Sequence, residues 1–201
     1  MARQKKGDIE TNYEVRSFDA GMPLEEYRKL PKTPLYVVLD NLRSAFNVGS
    51  IFRLCDALRV RELILCGYTA HPPHVKLEKT SLGTTGYVPW RHVDSTADAV
   101  SGLRERGIPV WAAETTSRSL TYDTVVYPLP VALVFGNEIT GVGREILDVC
   151  DELVEIPMQG FKNSINVAAA AAVMGYRVLS QIQKEPPDKA AAPGESSSGT
   201  K

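Results

Sequence analysis

The sequence predicts an α/β domain, a mostly parallel β-sheet with helices on both faces. Two observations lead there. Short apolar runs rich in β-branched residues recur along the chain, bounded by turn residues, as buried strands do. The stretches between them carry helical spacing, and strands alternating with helices make a parallel sheet covered on both sides.

In chain order, "MPLEEYRKL" spaces Leu24, Tyr27 and Leu30 for a short helix. "LYVVLD" at 35–40 is the first predicted strand. "VGSIFRLCDAL" places Ile51, Leu54, Cys55 and Leu58 on one helical face. "ELILC" at 62–66 is the second strand, and "STADAVSGLRERG" is a helix with a Ser/Thr cap and a stop at Gly107. Further strands are expected at 108–113, 131–136 and 153–158, with a brief amphipathic helix in "GREILDVC" and a longer one through the run Ala168 to Ala172. "HPPHVKLEKTSLGTTGY", residues 71–87, receives no assignment. The expected organisation is an extension over 1–30 that is partly helical, a folded domain over 31–183, and a disordered tail over 184–201, since "KEPPDKAAAPGESSSGTK" lacks the apolar residues that offset ordering entropy.

Bulk composition decides little, because 43% hydrophobic residues, 23% charged residues and a net charge of -1 are ordinary for a soluble domain. Local charge is more informative: Arg28, Lys29, Lys32, Arg43, Arg53, Arg59 and Arg61 face only Asp40 and Asp56 between Arg28 and Arg61. Such a run is either a solvated face or a phosphate-facing patch. Cys55, Cys66 and Cys150 are widely spaced, with no C-x-x-C pair and no histidine at ligand spacing, so neither a metal site nor a disulfide is expected. No apolar segment has membrane-spanning length, and no apolar stretch follows the basic residues of the amino end, so a cytoplasmic protein is expected.

Ligands of parallel sheets sit beyond the carboxyl ends of the strands. There the sequence places "NLRSAFNVGSIFR", "ETTSRS", "NEITGVG" and "QGFKNSIN", all polar and bearing glycine, amide or hydroxyl side chains. None is a G-x-G-x-x-G or a G-x-x-x-x-G-K-[ST] loop, which argues against a dinucleotide Rossmann site or a P-loop. In "NVGSIFR", Asn47 and Gly49 fall at a helix entrance suited to anions, with Arg53 about a turn further on. Ser164 and Asn166 stand where either would cap the alanine-rich helix.

Together, N-x-G-x-x-x-R in "NVGSIFR", F-G-x-E-x-x-G in "FGNEITGVG" and I-P-M-x-G-x-x-x-S-[LI]-N-V in "IPMQGFKNSINVA" resemble the three motifs of the SpoU (TrmH-like) RNA ribose 2′-O-methyltransferases of the SPOUT superfamily. The resemblance spans about residues 35–180; Ala168 departs from it, since many relatives have serine there. It implies a deep trefoil knot in the carboxyl-terminal part, a homodimer, and S-adenosylmethionine as cofactor. It also implies tRNA or rRNA as substrate and a catalytic domain standing without an added RNA-binding domain. The cofactor residues it implies are Glu114 or Thr115, Gly136, Ile156, Met158, Ser164 and Ile165. The catalytic set it implies is Arg53, Asn47, Glu138, Ser164 and Asn166, with no metal. For removal of the hydroxyl proton the resemblance points to Arg53; because a guanidinium is a poor base at neutral pH, Arg53 is expected chiefly to orient the target phosphate and stabilise the developing alkoxide. Asn47 is expected to fix Arg53 or the ribose, and Glu138 to orient Arg53 through a charge-assisted pair. The alternative is a non-catalytic RNA-binding or assembly factor that keeps the fold.

Overall fold

The computed structural model describes residues 22–184. The expectations for the amino-terminal residues before 22 and for the tail beyond Lys184 lie outside the described residues. The chain divides into two compact units between Pro31 and Lys32. The first contains helix α1 (Leu24–Lys29), with Glu25 and Glu26 in its first turn and Arg28 and Lys29 in its last, each sign placed where the helix dipole favours it.

The second unit is built on a seven-stranded sheet in the order β3-β2-β1-β6-β4-β7-β5. Its strands are β1 (Thr33–Asp40), β2 (Val60–Cys66), β3 (Trp90–Val93), β4 (Val110–Ala113), β5 (Leu120–Thr121), β6 (Val131–Phe135) and β7 (Glu152–Glu155). Every pairing among them is parallel. The helices are α2 (Ala45–Ala57), α3 (Val75–Ser81), α4 (Thr96–Glu105), α5 (Arg144–Leu147) and α6 (Val167–Lys184).

Alternation along β1 explains its continuous apolar run. Leu35, Val37 and Leu39 point into one core with Val48, Ile51, Phe52 and Cys55 of α2, Leu77 of α3, and Ala171, Met174 and Val178 of α6. Tyr36 and Val38 point into the other, with Ala99, Val100 and Leu103 of α4 and Ile146 of α5. A strand covered on both faces has no polar side to show in its sequence. Burying each such Leu, Ile or Phe stabilises the fold by roughly 1.5–3 kcal/mol.

Two glycines set the helix packing on the first face. A Cβ at Gly49 would collide with the Thr80 side chain, so α2 and α3 approach only because that position lacks one. At Gly175 a Cβ would stand 2.6 Å from Leu58 Cδ1, where α6 crosses the end of α2.

The structure corrects several expected boundaries. The third expected strand begins at Val110 instead of 108, just after Pro109. The last ends at Glu155 instead of 158, just ahead of Pro157, which has no N–H for a ladder. β3 and β5 had no counterpart in the sequence reading: β3 lies at the sheet edge with all four residues half-buried, and β5 has two residues. The unassigned 71–87 segment contains α3, capped by His74, whose Nδ1 accepts the Leu77 N–H at 3.3 Å. α3 ends at Leu82 and Gly83, both left-handed. Among the described residues, no helix is long and apolar enough to cross a membrane.

Candidate active site

The loops after β4, β6 and β7 and the start of α6 enclose a cleft of about 730 Å³ at the carboxyl edge of the sheet. Glu114, Thr115, Gly136, Ile156, Met158, Ser164 and Ile165 all line it, together with Asn47, Glu138 and Asn166. Arg53 does not. It lies on the exposed side of α2, six residues past Asn47 and about 9 Å further along the helix axis at 1.5 Å per residue.

A chain of polar contacts crosses the cleft mouth. Ser44 caps α2, its Oγ accepting the Asn47 N–H at 3.3 Å. The Glu138 carboxylate accepts from the Arg43 N–H at 2.8 Å, the Ser44 N–H at 3.0 Å and Asn47 Nδ2 at 2.9 Å. Asn47 Oδ1 in turn accepts from Asn166 Nδ2 at 3.0 Å. Asn166 Oδ1 accepts the Ala168 N–H at 2.8 Å and the Ala169 N–H at 3.4 Å, which caps α6. Glu138 and the asparagine pair therefore tie the starts of α2 and α6 to the β6 loop.

This chain overturns the expected Glu138–Arg53 pair and the expected Asn47–Arg53 contact. The anion at the α2 entrance is Glu138 itself, because the two amides leading into the helix and the Asn47 amide surround its carboxylate. Among the described residues Arg53 has neither a hydrogen bond nor an ion pair, and the residue is exposed. Of the two residues expected to cap α6, Asn166 does so and Ser164 does not. Partial burial pushes the Glu138 carboxyl upward, but hydrogen bonds from Arg43, Asn47, its own amide and Ser44 outweigh it and hold the group below its ordinary value.

Backbone geometry shapes the cleft wall. Asn137 and Gly141 close the 137–141 turn by a pair of backbone hydrogen bonds, 3.1 and 2.9 Å. A Cβ at Gly136 would run into the Gly141 and Val142 backbone, and at Gly141, with φ of +69°, into the Glu114 carboxylate. Glu114 holds that turn in place, accepting the Val142 N–H at 2.9 Å and the Thr115 N–H at 3.1 Å. The sequence reading missed Asn137, which is 6% exposed yet lines the cleft. Its Oδ1 accepts the Ile139 and Thr140 N–H groups, and its Nδ2 donates to Asn41 O at 2.7 Å. It occupies the unmarked position of F-G-x-E, so only the preference of asparagine for turns signalled it. Ala170 and Met174, one turn apart on α6, supply the apolar floor.

The cleft has the size of small-ligand sites, roughly 300–1,000 Å³, with apolar Ile156, Met158, Ile165 and Met174 beside polar loop groups. An apolar slot edged by backbone and carboxylate groups suits a nucleoside carrying a charged side chain, which is the chemistry of S-adenosylmethionine. The cysteines lie apart from this chemistry: burial pushes the Cys55 thiol far up, and Cys66 and Cys150 each to about 12.

Parallel sheet, carboxyl-edge cleft and motif-bearing loops define an α/β protein with a small-ligand site at the ends of its strands. A model of the SpoU rRNA Methylase family matches residues 34–176, the stretch that holds every residue of that site, and the chain belongs to this family. It is 31% identical over 145 residues to a putative TrmH family tRNA/rRNA methyltransferase of Bacillus subtilis, covering 72% of this chain and 58% of that one. It is likewise 31% identical over 163 residues to the tRNA (guanosine(18)-2′-O)-methyltransferase of Aquifex aeolicus, covering 81% and 76%. The crystal structure of an AdoMet-bound rRNA methyltransferase from Sinorhizobium meliloti superposes with a TM-score of 0.70 at 30% identity, over 78% of this chain and 60% of that one. The chain thus spans less than two thirds of the length of the Bacillus relative.

Proposed function

We propose that the protein transfers a methyl group from S-adenosylmethionine to a ribose 2′-hydroxyl of tRNA or rRNA. The observation that carries this reading is the convergence of the three motif segments on one cleft, with Glu138, Asn47 and Asn166 hydrogen-bonded across its mouth. The names of the family and of the relatives above support it.

When bound, the cofactor supplies an electrophilic methyl group. The cleft residues Gly136, Ile156, Met158, Ser164 and Ile165, with Glu114 or Thr115, would hold it through backbone and apolar contacts. Catalysis then consists mainly of holding the ribose hydroxyl in line, since methyl transfer needs near-attack geometry more than polar activation. Asn47, fixed at both ends of its amide by Glu138 and Asn166, presents a rigid edge to the ribose. With Glu138 already satisfied by neutral N–H donors, Arg53 remains available to a phosphate of the bound RNA. The exposed side chains of Phe46, Ile165, Val173 and Tyr176 support pairing of two copies along α2 and α6 as a homodimer. The carboxyl-terminal knot and a cytoplasmic location, where such RNAs are modified, belong to the same reading.

One observation favours the alternative of an RNA-binding factor, namely that Arg53 stands outside the cleft. Incubating the protein with labelled S-adenosylmethionine and total small and ribosomal RNA, then digesting to nucleosides, separates the two. Label on ribose supports the enzyme. Cofactor binding without transfer to any unmodified RNA supports the factor.

A further inference from the structure

Tyr68 is 65% exposed, yet its side chain is held in one place. It follows β2 in a turn where Gly67 has φ of +59° and a Cβ would strike the Asn41 side chain. Asn41, itself left-handed at φ of +54°, accepts the Tyr68 N–H on Oδ1 at 3.2 Å. At the other end of the residue, the phenol oxygen accepts from Asn137 Nδ2 at 2.7 Å. His92 ties the turn to β3, its Nε2 donating to Gly67 O at 2.8 Å. Backbone and hydroxyl are therefore both anchored while the ring remains open to solvent.

The anchor at the hydroxyl end is the same buried asparagine that builds the cleft wall, so the ring stands one side chain away from the site. An exposed ring that is already fixed loses little further freedom when a flat partner covers it. RNA whose ribose enters a cleft must present an unstacked nucleotide, and unstacked bases are taken up on aromatic faces. Resting on the methyltransferase reading above, we propose that Tyr68 is a positioning residue, the stacking platform for an RNA base at the mouth of the cleft. The β2–α3 turn that carries it lies outside the three motifs.

The test is steady-state methyl transfer to total tRNA and ribosomal RNA from cells in which the gene for this protein has been deleted. Tyr68→Leu is expected to raise the KM for RNA about tenfold, the scale of one lost base–aromatic stack, with kcat and the KM for S-adenosylmethionine changed less than about twofold. Tyr68→Phe and Tyr68→Trp keep a ring face and are expected to stay within about threefold of wild type, because the ring supplies the stack. An unchanged KM in Tyr68→Leu would overturn the proposal. So would equal damage from Tyr68→Phe, which would assign the role to the hydroxyl link, or a joint loss of cofactor affinity and thermal stability, which would make Tyr68 structural. If the wild-type protein itself transferred no methyl group, the methyltransferase reading would fail and the stacking role with it.

Discussion

Glu138→Gln isolates the carboxylate that joins α2 to the cleft. The substitution keeps the shape and one acceptor oxygen, which retains the Ser44 N–H and Asn47 Nδ2 bonds in neutral form. Its new NH₂ then faces the Arg43 N–H, so the third bond is lost. Hydrogen bonds to a charged group contribute about 1.5–3 kcal/mol each and neutral ones about 0.5–1.5. Losing one and weakening two gives roughly 3.5–6 kcal/mol, which solvent screening at this exposed position reduces to about 1–2. For a chain of this size that corresponds to a Tm lower by about 2–8 °C. Thermal unfolding followed by circular dichroism at neutral pH reads it directly. A depressed carboxyl stabilises the fold at pH above its unfolded value and loses that contribution as pH falls through the folded value. The gap between the two proteins should therefore close below the ordinary glutamate range, about 4.3. A Tm shift under about 1 °C at neutral pH, or a gap that persists in acid, would refute the assignment of Glu138 as the anion of the α2 entrance.

Arg53→Ala should abolish methyl transfer while leaving S-adenosylmethionine affinity within about tenfold, or 1.4 kcal/mol, of wild type; calorimetric titration alongside the transfer assay checks both. Asn166→Ala should destabilise the protein by about 1 kcal/mol through loss of the α6 cap and should also weaken cofactor binding, both measurable by thermal shift with and without cofactor. Gly136→Ala forces a methyl group against the Gly141–Val142 backbone and should cost about 1–3 kcal/mol, with cofactor binding lost before folding is. In native protein at pH 8, Cys55 and Cys66 should resist a disulfide-exchange reagent until denaturant is added, because both thiols are buried and protonated.

The central strands were legible because β1, β2 and β6 are covered on both faces and carry unbroken apolar runs. β3 lacks that signature, and β5 is too short to have any period. α3 was hidden because it buries only Leu77 and Ser81, too few to mark a stripe. The segments around the cleft stood out as polar loops after strands, and Gly136 and Gly141 announced close backbone approach. The partner of Glu138 did not, because two of its three donors are main-chain amides that every sequence possesses. Sequence pairs charges with charges, whereas here a carboxylate settled on a helix entrance and left the arginine outside.

The strand order has a consequence for biosynthesis. β1 lies between β2 and β6, yet β6 begins at Val131, nearly a hundred residues after Thr33. At roughly 5–20 residues per second, a ribosome delivers β6 about 5–20 seconds after β1. For that interval one edge of a largely apolar strand has no native neighbour, even where β2 is available to pair with the other edge. Chaperone demand and aggregation during expression should therefore concentrate on chains that stall or are truncated before Phe135, and a slow stretch of translation there would be more harmful than one after α6 has begun.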